Sequence, residues 1–91
     1  MNSSAILKQN SEMITRTIDG HAVIMDPQEG KVLTLNEVGT FIWELADGRP
    51  TKGDILEAVC REFEVGREAA LGDMEEFTAA LIEKRLLLLE E

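Results

Sequence analysis

A small α+β domain, with a three-stranded antiparallel sheet ahead of three helices, is the fold that the sequence predicts. Three observations carry it. Asp19-Gly20 sits between two β-prone runs, which signals a two-residue hairpin whose central positions take positive φ. Lys31 to Leu35 reads as a strand and runs with no loop into a helix whose apolar residues Val38, Phe41, Ile42 and Leu45 fall at i, i+3, i+4 and i+7. Two further helical segments follow, each punctuated by a capping residue, Gly or Pro.

Met1 to Glu12 is polar and is expected to fray, leaving residues 13–91 as the single domain. Met13 to Ile18 is the first strand and His21 to Asp26 the second. Pro27-Gln28-Glu29-Gly30 is a longer turn, because Pro presets φ and Gly30 can adopt the left-handed position. Lys31 to Leu35 is the third strand, expected at the edge of the meander. Asn36 is placed to cap the first helix. Gly48 suits that helix's end and Pro50 forbids its continuation. Thr51 and Asp54 form a short version of the capping box, opening a second helix that runs to about Phe63 and buries Ile55, Leu56, Val59 and Phe63, with Gly66 as the breaker after it. The third helix runs from Glu68 to Arg85 with Leu71, Met74, Phe77, Thr78, Leu81 and Ile82 as its apolar face. Its acids come early and Lys84 and Arg85 late, as the helix dipole favours. Leu86 to Leu89 is a run of leucines and a candidate dimer patch. A sheet leading into a helix-turn-helix and a third long helix is a winged-helix-like arrangement.

Composition narrows the function. One modest core is all that 91 residues can build. The net charge is −9, so the chain repels phosphate backbones and anionic membranes; a basic peptide or basic protein surface is a better match. The second helix, as a recognition helix, sets Asp54, Glu57 and Glu62 against Lys52 and Arg61, which disfavours a nucleic-acid-binding reading. Cys60 is the single cysteine, in an apolar setting, and reads as a small buried residue. No apolar signal region or bilayer-spanning run is present, so a cytoplasmic protein is expected.

No catalytic constellation emerges. His21, the single histidine, reads as a strand residue, since metal sites need several ligands and no Cys or His lies nearby. Phosphate loops, HExxH and paired cysteines are missing. No cofactor and no metal are expected, and the protein is not expected to be an enzyme. Trp43 lies about 100° around the helix from Ile42, on the flank of the apolar stripe. Two readings stay open for it: a boundary core residue, or a partner contact of the kind Trp often makes.

Gly30, the strand ending Leu35-Asn36, Ile42 and Leu45, Asp47-Gly48, Thr51, Ile55, and then Asp73, Phe77, Leu81 and Leu86-Leu87 together resemble the PqqD family of pyrroloquinoline quinone biosynthesis and the related peptide-recognition domains of ribosomal peptide modification. The resemblance spans Val23 to Leu87. The hairpin up to Gly20 matches none of its motifs, and Gly66 stands where the family often has an Asp capping the third helix. It implies three strands followed by three helices. It also implies a non-catalytic chaperone that binds the leader segment of a ribosomally made precursor peptide and presents it to a modifying enzyme, often a radical SAM enzyme. The leader is expected to add as a strand beside the third strand, against the third helix. Carried over, that site is Lys31, Val32, Leu33, Thr34 and Leu35 with Asp73, Met74, Phe77, Thr78 and Leu81, and Asp73 and Glu76 are placed to receive a basic leader residue. The alternatives are a winged-helix nucleic-acid binder and a dimerisation module built on Leu86 to Leu89.

Overall fold

The computed structural model describes residues 4–90. In chain order the elements are β1 (Ile6–Gln9), β2 (Ile14–Ile18), β3 (His21–Asp26), β4 (Lys31–Thr34), α1 (Glu37–Ala46), α2 (Lys52–Phe63), α3 (Arg67–Glu83) and β5 (Leu87–Glu90). β2, β3 and β4 form the antiparallel meander, with β2 and β4 at its edges, and α1 to α3 follow it. The α+β expectation holds, and the second strand falls on the expected residues. The Asp19-Gly20 turn has φ of 51° and 80° at its two positions, as a tight hairpin requires.

β4 becomes α1 within two residues, and side chains supply the bonds that the ladder loses there. The Asn36 carboxamide oxygen accepts from the Gly39 N–H at 2.8 Å and caps α1. The Thr40 hydroxyl accepts from the Ala22 N–H at 2.9 Å and donates to the Leu35 carbonyl at 3.4 Å, while the Leu35 N–H donates to the Ala22 carbonyl at 2.9 Å. One buried hydroxyl thus stands between two groups that would otherwise pair directly. Phe77 of α3 crosses close by: a methyl group at Gly39 would lie 2.8 Å from its ring, so glycine sets this approach of α1 to α3.

α1 is buried on two sides. Trp43 and Ala46 join Ala22, Ile24 and Leu35 over the sheet, whereas Ile42 joins Ile55, Val59 and Met74 between the helices. The stripe read from periodicity is therefore only part of its buried surface, and Val38, Phe41 and Leu45 are half-buried. The Phe41 ring meets Phe63 edge to face at 5.3 Å, tying α1 to α2. The capping box of α2 is complete, with Thr51 and Asp54 each bonded to the other's backbone. Burial pushes the Lys52 ammonium below its usual range, opposed by Glu75.

Several expectations are corrected. Met1–Ser3 lie outside the described residues, but the segment expected to fray contains β1, which pairs antiparallel with β5, Leu7 opposite Leu89. Leu7 is 0% exposed, between the α1–α2 connection and the C-terminal strand. The partner strand lies at the other end of the chain, so no local pattern reveals this pairing. The leucine run is that partner: Leu86 and Leu87 are buried and Leu88 and Leu89 half-buried, so these side chains are occupied within the fold. On α3, Ala70 is buried and Leu71 exposed. The left-handed residue after α1 is Arg49, not Gly48. α2 ends at Phe63, as expected, and Glu64 after it is left-handed at φ 51° and ψ 44°. Gly66 instead opens α3 and supplies no side-chain cap.

Glu90 closes the β1–β5 ribbon, accepting from Lys8 at 2.7 Å and pairing with Arg49. The Lys8 hydrogen bond, and then Arg49, hold its carboxyl below the usual range against a desolvation effect of opposite sign.

Three outcomes follow. Leu7→Ala should cost about 2–5 kcal/mol of stability in chemical denaturation, where a frayed terminus would cost nothing. Thr40→Val, nearly isosteric, should cost roughly 1–3 kcal/mol by leaving the Ala22 N–H unpaired. Glu90 releases its proton more readily folded than unfolded, so its contribution is complete above the usual carboxylate range and lost as pH falls through the lowered folded value. Thermal melts of Glu90→Gln should therefore lie below the parent at neutral pH and converge with it in acid.

Candidate functional site

Hydrogen-bond parity decides which backbone groups are free at the β4 edge. Because Leu35 bonds to Ala22, the ladder to β3 uses Leu35, Leu33 and Lys31, which face Ala22, Ile24 and Asp26. Val32 and Thr34 therefore point their N–H and C=O groups away from the sheet. Side chains alternate in the same rhythm. Leu33 and Leu35 turn to the core, and Val32 and Thr34 to solvent, with Val32 59% exposed.

Beside this edge lies an open groove of about 430 Å³. Ile24 and Leu33 form its sheet side, and Ala80 and Leu86 the opposite side, at the C-terminal end of α3. Its rim carries both charge signs: Asp26, Glu29 and Lys31 from the β3–β4 hairpin, and Glu83, Lys84 and Arg85 from the end of α3. Lys31 and Glu29, both well exposed, pair at 3.6 Å. Arg85 leaves the helix with φ 62°, turning the chain into β5 and placing Leu86 against the groove. An unpaired strand edge above an apolar trough suits an extended peptide. Backbone bonds supply sequence-independent affinity, and the trough receives alternate side chains. The β2 edge differs, since every β2 residue is exposed and none of them lines the groove.

The residues expected from sequence divide into two sets. Lys31, Val32 and Leu33 line the groove. Thr34 lies on the same edge, whereas Leu35 is buried past the strand's end. On α3 the expected residues do not line this groove. Met74, Thr78 and Leu81 are almost fully buried and belong to the core. Phe77 is half-buried against Gly39, and Asp73 borders a small separate dimple with Val38, Phe63 and Val65. Helix geometry explains the division. Asp73, Phe77, Ala80 and Lys84 share one stripe, and Met74, Thr78 and Leu81 lie one residue, about 100°, further round. The apolar stripe was read as the binding face, but the core claims it. Ala80, Glu83 and Lys84, which line the groove, form a mixed stripe with no hydrophobic signature, and only their spacing of three and four from Phe77 and Ala80 marks them in the sequence.

Trp43 is settled as a core residue. It is 1% exposed, its indole N–H has no hydrogen-bond partner among the described residues, and Gln9 donates to its carbonyl at 2.7 Å. A partner contact through its ring is overturned. His21 places Nδ1 at 2.9 Å from the Leu35 carbonyl, at the strand–helix junction. Among the described residues no group of His, Cys, Asp and Glu side chains could hold a metal ion, and no helix is long and apolar enough to cross a membrane.

Known structures share this architecture. The chain is similar to TbiB1, solved in complex with the TbiA(beta) leader peptide, at a TM-score of 0.82 and 31% identity over 88% of this chain and 93% of that one. It also has the fold of a lasso peptide synthetase B1 complexed with the leader peptide, at a TM-score of 0.80 and 22% identity over 90% and 96% of the two chains. No curated protein matches it significantly. The family model for coenzyme PQQ synthesis protein D (PqqD) matches residues 21–87, from the start of β3 into β5, and the chain belongs to the PqqD family.

Proposed function

We propose that this protein is a non-catalytic chaperone that binds the leader segment of a ribosomally made precursor peptide, as an added strand beside β4, and presents it to a modifying enzyme. The carrying observation is the outward-facing Val32 and Thr34 backbone above the groove between β4 and the end of α3. The likeness to TbiB1, whose structure contains a leader peptide, supports the same reading. The enzyme is of the radical SAM type or another peptide-modifying class, and the encounter takes place in the cytoplasm, where precursors are made. The binding residues are Lys31 to Thr34 on the strand, with Ala80, Glu83, Lys84 and Leu86 opposite in place of Met74, Thr78 and Leu81. Burying two leader side chains in the trough is worth about 3–6 kcal/mol before the ordering costs of binding. Both charge signs at the rim allow the leader a residue of either sign. A nucleic-acid reading is disfavoured, because Lys52 on α2 is buried and only Arg61 is left to offset Asp54, Glu57 and Glu62.

The test is an NMR titration of labelled protein with the leader of a precursor encoded beside it. Shifts should concentrate at residues 31–34 and 80–86. Thr34→Pro removes an outward N–H and leaves the β3 ladder intact, since edge strands tolerate Pro. It should weaken leader binding at least tenfold with the fold retained, as one lost backbone bond plus local distortion implies. Full affinity in Thr34→Pro, or shifts confined to β2, would refute the edge assignment.

A further inference from the structure

The groove wall at the end of α3 is held from behind by a residue that does not line it. Asn10 follows β1 and is half-buried. Its backbone N–H donates to the Leu86 carbonyl at 2.9 Å, and its side-chain Nδ2 donates to the Arg85 carbonyl at 2.8 Å. One residue thus grips two consecutive carbonyls from 75 positions before Arg85 in the chain. Both gripped residues line the groove, Leu86 on its apolar side and Arg85 at its rim.

The corner needs such a hold. Arg85 sits at φ 62°, in the left-handed region that a residue with a Cβ enters only at a cost. A strained residue of this kind persists where the surrounding structure over-determines it. On the helix side, the Arg85 N–H donates to the Ile82 carbonyl at 3.0 Å and the Leu86 N–H to the Leu81 carbonyl at 2.9 Å. Asn10 supplies the tie on the other side. Its residue type suits the task. The carboxamide oxygen accepts from the Glu12 N–H at 3.0 Å, which leaves the amide nitrogen as the end that meets Arg85. Asparagine carries an acceptor and a donor on one short stem; an ionised aspartate of the same shape keeps the acceptor and lacks the donor.

We propose that Asn10 is a positioning residue for leader binding: by fixing the Arg85–Leu86 corner it holds the groove wall in place and so sets the affinity for the peptide strand. This rests on the leader-binding reading above. Asn10 lines no part of the groove and acts through Leu86, which forms the wall, and Arg85, which stands at the rim. A wall that is already fixed adds less ordering cost to binding than one that must be fixed together with the leader. The coupling runs in both directions, so bound leader also holds Asn10 in place. Asn10 precedes residues 21–87, the span that the family model matches, so this control of the groove lies outside the shared pattern.

The experiment uses the full chain with Asn10→Ala and, separately, Asn10→Asp, which keeps the size and the bond from Glu12. Lys8→Ala is the control: it removes the ion pair with Glu90 from the neighbouring strand and leaves both corner bonds in place. Thermal unfolding shows that each variant folds and how far each is destabilised. Affinity for the leader of the precursor encoded beside the protein is read by fluorescence anisotropy, well below the melting temperature. It should fall about fivefold in both Asn10 variants, the scale of one hydrogen bond's net contribution, and stay within about twofold of the parent in Lys8→Ala. In the parent, leader should slow hydrogen exchange of the Asn10 amide several-fold. Parent-like affinity in both Asn10 variants would overturn the proposal, and so would an Asn10 amide that exchanges equally fast with and without leader. A Lys8→Ala loss equal to theirs would overturn it too, because the groove would then follow the general stability of the ribbon. A parent that binds no leader would refute the leader-binding reading and this proposal with it, whereas Asn10 variants that match a binding parent would refute the proposal alone.

Discussion

The Thr40 hydroxyl is the interaction on which the rest of the arrangement depends. It accepts from Ala22 and donates to Leu35, so the sheet ends and the helix begins without an unpaired backbone group in the core. A longer loop could have satisfied the same groups with water, but α1 would then be free to swing. Here α1 is held against β3, and Gly39 lets Phe77 of α3 close on it from the far side. The same ladder parity that brings Leu35 to Ala22 turns the Val32 and Thr34 backbone outward. The buried junction and the free edge are two faces of one register.

The chain is then fastened at its ends. β1 and β5 pair across the full length of the sequence, and Glu90 links Lys8 of β1 to Arg49 in the connection before α2. Individual exposed ion pairs contribute little; the weight of this ribbon comes from the buried Leu7 and Leu87. Its effect on the groove is direct, because Leu86 forms part of the wall and its position depends on where β5 is held. The N-terminal segment thus reaches the candidate site through packing without touching it.

Polarity is distributed by role. The groove has an apolar floor and a rim of both signs, which suits a peptide whose backbone supplies much of the binding. The outer sheet face has exposed aliphatic side chains and a single guanidinium. The helical side carries most of the acids, a surface that discourages self-association and phosphate backbones alike.

What the sequence determined by itself is local and periodic. The Asp19-Gly20 hairpin, the Asn36 cap, the Thr51–Asp54 capping box and the existence of three helices follow from turn chemistry, capping and spacing, all set within a few residues. The β4 edge was legible for the same reason, as the last strand of a meander. Tertiary structure decided the rest. β1 needed a partner some eighty residues away. The leucine run could not be told from an interface until β5 was paired. Trp43 could not be assigned until the sheet was seen to cover the second side of α1. Apolar periodicity names the stripe of a helix that is buried, and on α3 the stripe facing the groove is its neighbour, mixed in polarity because one side of it must stay wet. That 100° difference separates Met74, Thr78 and Leu81 from Ala80, Glu83 and Lys84, and only packing the helix against the sheet could resolve it.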